Sequence, residues 1–179
     1  MTITERITFK KPKPRDLVKQ GFTCVDMHYH TKYSDGSRKV STVVKKANKL
    51  GIGLSITDHN EIRGAIELSK YKNLLFIPGI EATTKEGIHL LYYFYNLSEL
   101  QEFYNHNILP NKDHGCHFLN IPFVEFIDIS KDYNCILSAP HPYGVSWTGV
   151  CSEVHKNIVT STQLNKFDAI EVINSSLLK

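Results

Sequence analysis

The sequence predicts an α/β fold with a mainly parallel sheet, in the form of a (β/α) barrel. Short apolar runs of strand formers alternate with segments of helical periodicity along most of the chain. Alternation of that kind implies parallel strands joined by crossover helices. The apolar runs end in His, Asp, Glu or Asn, which suits a barrel whose chemistry gathers at one rim. A length of 179 residues is that of one domain able to bury a real core.

The elements follow in order. Residues 1–20 form a basic lead-in. Its Lys10-Lys11-Pro12-Lys13-Pro14-Arg15 run is broken by prolines and is expected to be extended. The first strand runs from Phe22 to His30, with a turn at Ser34-Asp35-Gly36. A helix follows, capped by Ser41, carrying Val43, Val44, Ala47 and Leu50 at helical spacing and ending at Gly51. Ile52 to His59 is a second strand, and Asn60 is placed to cap a short helix with Ile62, Ala65, Ile66 and Leu68. Leu74 to Glu81 is a third strand, irregular near Pro78. A turn at Lys85-Glu86-Gly87 leads to the strand His89 to Tyr95, a hairpin partner or a neighbouring strand. Ser98 and Gln101 form a capping box for a helix through about Asn107, and Leu109 to Asn120 reads as a loop. A helix starts near Pro122 and runs to about Tyr133. Cys135 to Ala139 is a strand, Trp147 to Gln163 fits either type, and Asp168 to Asn174 is a last strand with a polar tip.

Composition narrows the function classes only a little. The net charge of +3 argues neither for nor against nucleic acid or phosphorylated substrates. Four widely spaced cysteines without a Cys-x-x-Cys pair read as buried thiols. No signal peptide and no bilayer-length apolar run is present, so the expected location is cytoplasmic and no membrane is involved. Nine histidines are many for this length, and their placement carries the argument.

Residues two apart on a strand share a face. His28 and His30 therefore present adjacent imidazoles, with Tyr29 facing away, and Asp35 can fold back toward them from the turn. The other strand tips supply His59, Glu81 and His141, with His89 at the start of a strand. Each alone has an ordinary reading as a surface or turn residue. Together they are a set of metal-ligand types at successive strand ends, rich enough for more than one divalent ion. A carboxylate such as Glu81 can bridge two cations. Two such ions can hold a hydroxide at neutral pH and clamp the oxygens of a phosphoryl group.

The motifs His28-Tyr29-His30-Thr31-Lys32-Tyr33-Ser34-Asp35-Gly36, Thr57-Asp58-His59-Asn60, Pro78-Gly79-Ile80-Glu81 and Ala139-Pro140-His141-Pro142 resemble, in letters, order and spacing, those of the PHP (polymerase and histidinol phosphatase) domain. The resemblance runs from about Phe22 to Asn174 and places a PHP-like domain at residues 21–179. It implies a distorted seven-stranded (β/α) barrel holding two or three divalent ions (zinc, manganese or iron). It also implies phosphoesterase activity on a small phosphate ester, nucleotide or oligonucleotide, through a metal-bound hydroxide. By position it makes His28, His30, Asp35, His59, Glu81, His89 and His141 metal ligands, with Glu81 bridging. Asp58 is expected to orient a neighbouring imidazole, and Asn174 to face substrate.

Members of that family carry a further Asp-x-His motif on a closing strand, and no such motif follows Asn174. The expectation is thus a barrel incomplete at its C-terminal end, closed by a missing segment or a partner, whose metal binding and turnover are weak without it. A second reading is a non-catalytic PHP-like module that binds metal or a partner. His114-Gly115-Cys116-His117 lacks a second ligand pair and reads as an ordinary loop. The basic arm has no aromatic platform to make it a nucleic-acid site, although nucleic acid stays open as a substrate.

Overall fold

The computed structural model describes residues 13–112, 117–144, 148–172 and 174. The fold is mixed α/β, as expected, but the described strands form two open sheets and do not close into a barrel. Strands β1 (Val25–Tyr29) and β2 (Gly53–Ile56) pair in parallel, joined by helix α2 (Val40–Leu50). Strands β3 (Gly79–Thr83), β4 (His89–Phe94), β5 (Cys135–Ala139) and β6 (Ala169–Ile170) form the second sheet in chain order. Only β5 and β6 pair in parallel there. The expectation of a mainly parallel sheet fails at β3–β4 and β4–β5, which are antiparallel. The cause of the first is local. Thr84 to Ile88 is a tight turn with Gly87 in the left-handed region, too short for a crossover, so the chain returns as a hairpin.

The sheets are joined beside the site. Leu54 bridges Phe76 and His59 bridges Glu81, both in parallel sense. The Tyr93 hydroxyl donates to the Met27 carbonyl at 2.9 Å, tying β4 to β1. The main core lies behind β3–β5. Tyr92, Phe103, Phe123 and Phe126 are fully buried there beneath α4 (Leu97–Phe103) and α5 (Phe123–Ile129). Tyr92 also donates to the Phe126 carbonyl at 2.7 Å, so its buried hydroxyl is satisfied. A smaller core gathers α2 against β2 through Val43, Val44, Leu54 and Ile56.

Several terminal details differ from expectation. Helix α1 (Pro14–Lys19) occupies the end of the lead-in, where an extended chain was expected. Proline at the first helical position loses no needed hydrogen bond, so Pro14 starts this helix rather than preventing it. Helix α2 begins one residue ahead of Ser41, without a side-chain cap, and ends at Gly51 in the left-handed conformation. The cap of α4 is Asn96, whose side chain accepts from Glu99 N at 2.9 Å, in place of the Ser98–Gln101 box. A capping box does occur, at Thr160 and Gln163 of α6 (Ser161–Leu164), within the ambiguous stretch. The last strand is two residues long, not seven. The loop residues His114 and Cys116 lie outside the described residues.

Helix α3 (Arg63–Leu68) begins after Asn60 and Glu61 and is not capped by Asn60. Its Gly64 is pressed against the core. A Cβ there would collide with the Asp58 carboxylate and sit 2.7 Å from the Ile56 side chain. Gly64→Ala is expected to cost about 1–3 kcal/mol, read as a lower midpoint of urea unfolding at unchanged slope. An unchanged midpoint would contradict this packing.

Candidate metal centre

Every strand-end residue named above as a ligand candidate reaches one cluster, and Glu81 is at its middle. Its side chain is 1% exposed. One oxygen, Oε2, lies 3.1 Å from His28 Nε2, 2.8 Å from His30 Nε2 and 3.4 Å from His59 Nδ1. The other, Oε1, lies 3.1 Å from His89 Nδ1 and 3.2 Å from His141 Nε2. The His89 contact is within ion-pair reach but lacks hydrogen-bond alignment. Asp35 is the exposed member, at 66%. Its Oδ1 accepts from His30 Nδ1 at 2.6 Å, and its Oδ2 lies 3.8 Å from His59 Nε2.

Local structure explains each placement. His28 and His30 leave β1 on one face, while Tyr29 packs against the α2 core. The turn after β1 is held by Asp58, which is fully buried. It accepts from Thr31 N at 2.6 Å, Thr31 Oγ1 at 2.7 Å and Ser34 Oγ at 2.7 Å. This corrects the expectation for Asp58, whose hydrogen bonds hold Thr31 and Ser34 of the turn and not an imidazole. Asp58 and His59 are adjacent on an extended segment, so they face opposite ways. Asn60 takes φ 50°, a conformation asparagine tolerates. There its amide N–H donates to Glu81 O at 2.8 Å and its Oδ1 accepts from Thr83 N at 2.9 Å. These bonds set His59 beside Glu81. His89 enters from β4 opposite Thr83, and His141 follows β5 with φ 28°.

Sequence reasoning missed Glu171. Its Oε1 lies 3.2 Å from His28 Nδ1, and its Oε2 accepts from His141 N at 2.7 Å. Asn174 Nδ2 also donates to that Oε2, at 2.9 Å, so Asn174 is tied to the edge of the cluster through Glu171. The signal was partial: Glu171 is an acid within the run Asp168 to Asn174, but it is flanked by Ile170 and Val172 and does not end the run as Glu81 ends its own.

The donor set fits divalent cations. Imidazole nitrogens and carboxylate oxygens suit zinc, manganese or iron. Among the described residues three groups have ligand atoms within 4.8 Å of one another: His28, His30 and Glu81; His30, Asp35 and His59; His59, Glu81 and His89. The Nε2 atoms of His28 and His30 stand only 2.9 Å apart. Two ring nitrogens at that separation can both reach one cation.

The electrostatics are those of a site loaded with protons in place of cations. Burial pulls His28 down, but Glu171 and Glu81 outweigh it and raise the ring to about 10. Burial likewise opposes His30, which Asp35 and Glu81 raise to about 9. The shared Nε2 contact makes these two rings titrate as a pair. Burial lowers His59 to about 4 against the pull of Glu81. Burial alone would raise Glu81, yet the contacts with His141, His28, His30 and His89 hold it well below the usual carboxylate range. The His30 bond similarly depresses Asp35.

The chain is similar to known proteins in sequence and in fold. The PHP domain matches residues 26–165. An uncharacterized protein of Methanocaldococcus jannaschii is 28% identical over 165 residues, covering 84% of this chain and 81% of its own length. A structure from Bifidobacterium adolescentis, described as a metal-dependent phosphoesterase, aligns with a TM-score of 0.59 at 17% identity, over 83% of this chain and 77% of that one. A lesion-specific endonuclease from Pyrococcus furiosus aligns with a TM-score of 0.61 at 20% identity. That match covers 73% of this chain but only 37% of the endonuclease. At these identities the structural matches speak to the fold.

Protons on His28 and His30 must leave before a cation takes their ring nitrogens. Zinc added to metal-free protein near neutral pH is expected to displace protons, seen as calorimetric heats that vary with the ionisation enthalpy of the buffer. Its affinity should climb as pH rises from 6.5 toward 9. Because both folded values lie above the ordinary 6.5, their contribution to metal-free stability is full below 6.5 and is lost as pH climbs through about 9 to about 10. Buffer-independent heats would contradict the protonation of this pair.

Proposed function

The chain belongs to the PHP domain family, and from that premise we propose that it is a phosphoesterase, hydrolysing a small phosphate ester, nucleotide or oligonucleotide at the Glu81 cluster. The observation that carries the reading is the division of Glu81 between two groups of imidazoles, one on each carboxylate oxygen. That geometry suits a bridging carboxylate between two divalent ions, zinc, manganese or iron. Bound there, such ions would acidify a water and neutralise charge on the phosphoryl oxygens.

The residues have distinct parts in this proposal. His28, His30 and His59 hold one side of the cluster and His89 and His141 the other. Asp35, the exposed member, sits toward solvent, where it can help hold an ion while the substrate approaches. Although buried, Glu81 stays ionised because imidazoles surround it, so the cluster is held together by charge as well as packing. The likeness to a lesion-specific endonuclease supports including oligonucleotides among the substrates, and the phosphoesterase neighbour supports small esters. The proposed domain spans residues 21–179, after the lead-in. No helix of the described residues is long and apolar enough to cross a membrane, which suits the proposed cytoplasmic setting.

Hydrolysis of p-nitrophenyl phosphate and bis-p-nitrophenyl phosphate with manganese or zinc tests the proposal and separates monoesterase from diesterase action. Chelation is expected to abolish turnover and metal to restore it. Glu81→Gln should lower turnover by about 100-fold or more, since it removes the charge that organises both sides of the site. Turnover indifferent to Glu81, or none with any of these metals, would favour the non-catalytic module.

A further inference from the structure

We propose that Glu171 is a positioning residue for the centre, holding the His28 ring with its proton on Nδ1 so that the Nε2 lone pair is left for a cation. The inference rests on the metal-centre reading above and deepens it. An ionised carboxylate can only accept a hydrogen bond. The 3.2 Å contact between Glu171 Oε1 and His28 Nδ1 therefore requires Nδ1 to be the donor. In neutral imidazole that leaves Nε2 as the lone-pair nitrogen. Nε2 is the atom that faces His30 Nε2 and Glu81 Oε2. A carboxylate on the far ring nitrogen also raises the basicity of a metal-binding histidine and fixes its plane. Both partners are largely shielded, at 12% and 14% exposure, so the bond faces little competition from water.

The other half of the carboxylate secures the orientation. Glu171 Oε2 takes two donors, the His141 amide at 2.7 Å and Asn174 Nδ2 at 2.9 Å. The first of these also anchors the backbone of His141, which stands at φ 28°. One side chain from the end of the β5–β6 pair thus braces His28 on β1 and His141 after β5. It does so across the open side between the two sheets.

Glu171→Gln separates positioning from mere support. The two donors at Oε2 require an oxygen there, so the amide oxygen of Gln takes that place and keeps both bonds. Its NH2 then takes the Oε1 place and donates toward His28 Nδ1. Nδ1 must accept, which moves the proton to Nε2 and removes the lone pair a cation needs. The variant is expected to bind zinc about 10–100-fold more weakly, measured by competition with a chromogenic chelator. Its cobalt(II) complex should show an altered visible band, and its metal-free melting temperature should fall less than that of Glu171→Ala, because the bonds at Oε2 are kept. Glu171→Ala, which loses all three bonds, should weaken zinc and also lower the melting temperature. If wild type takes up zinc and Glu171→Gln takes it up equally well, with the same cobalt spectrum, the positioning role is overturned while the phosphoesterase reading stands. If wild type takes up no zinc, manganese or cobalt, the metal centre itself falls, and this role with it.

Discussion

Burying a carboxylate is costly unless charge and hydrogen bonds answer it, and Glu81 is the residue on which this molecule concentrates that cost. Five imidazoles from four stretches of chain converge on its two oxygens. Without them an ionised Glu81 at 1% exposure would be strongly destabilising. Without Glu81, the histidines would be a group of like charges whenever protonated. The cluster is therefore mutually dependent, and the elements around it can be read as means of bringing its members to one place.

Three polar side chains do most of that bracing. Asp58 anchors the turn that carries Asp35, through Thr31 and Ser34. Asn60 fastens His59 to β3 through Glu81 O and Thr83 N. Glu171 joins His28 to the backbone of His141. Two of them act where no regular ladder joins the strands, Glu171 between the end of β6 and β1 and Asn60 beside the single His59–Glu81 bridge. Polar bonds of this kind stand in for the continuous ladder that a closed barrel would supply.

Much of this was legible in the sequence, for identifiable reasons. Strand alternation is strict, so placing His28 and His30 on one face with Tyr29 opposite required only the assignment of β1. Polar residues at the ends of apolar runs pointed to Glu81, His59 and His141. The mixed α/β class followed from the same pattern. What sequence could not give was the partner of each polar atom. Asp58 was legible as an acid beside a ligand, but its donors come from a turn some 27 positions away. Asn96 and Ser98 compete for one helix cap, and local sequence does not decide between them. The antiparallel return at β4 depended on whether a short turn or a crossover joined it to β3. Glu171 was overlooked because the last strand was expected to run on to Asn174, which put Glu171 mid-strand, whereas β6 stops at Ile170.

The central claim is that the two oxygens of Glu81 organise two cation positions. Anomalous diffraction from crystals soaked in zinc or manganese tests it most directly. The account predicts peaks at coordination distance from both Glu81 Oε1 and Glu81 Oε2, one among His28, His30 and His59 and the other near His89 and His141. Anomalous signal absent from Glu81, or confined to surface histidines away from it, would contradict it.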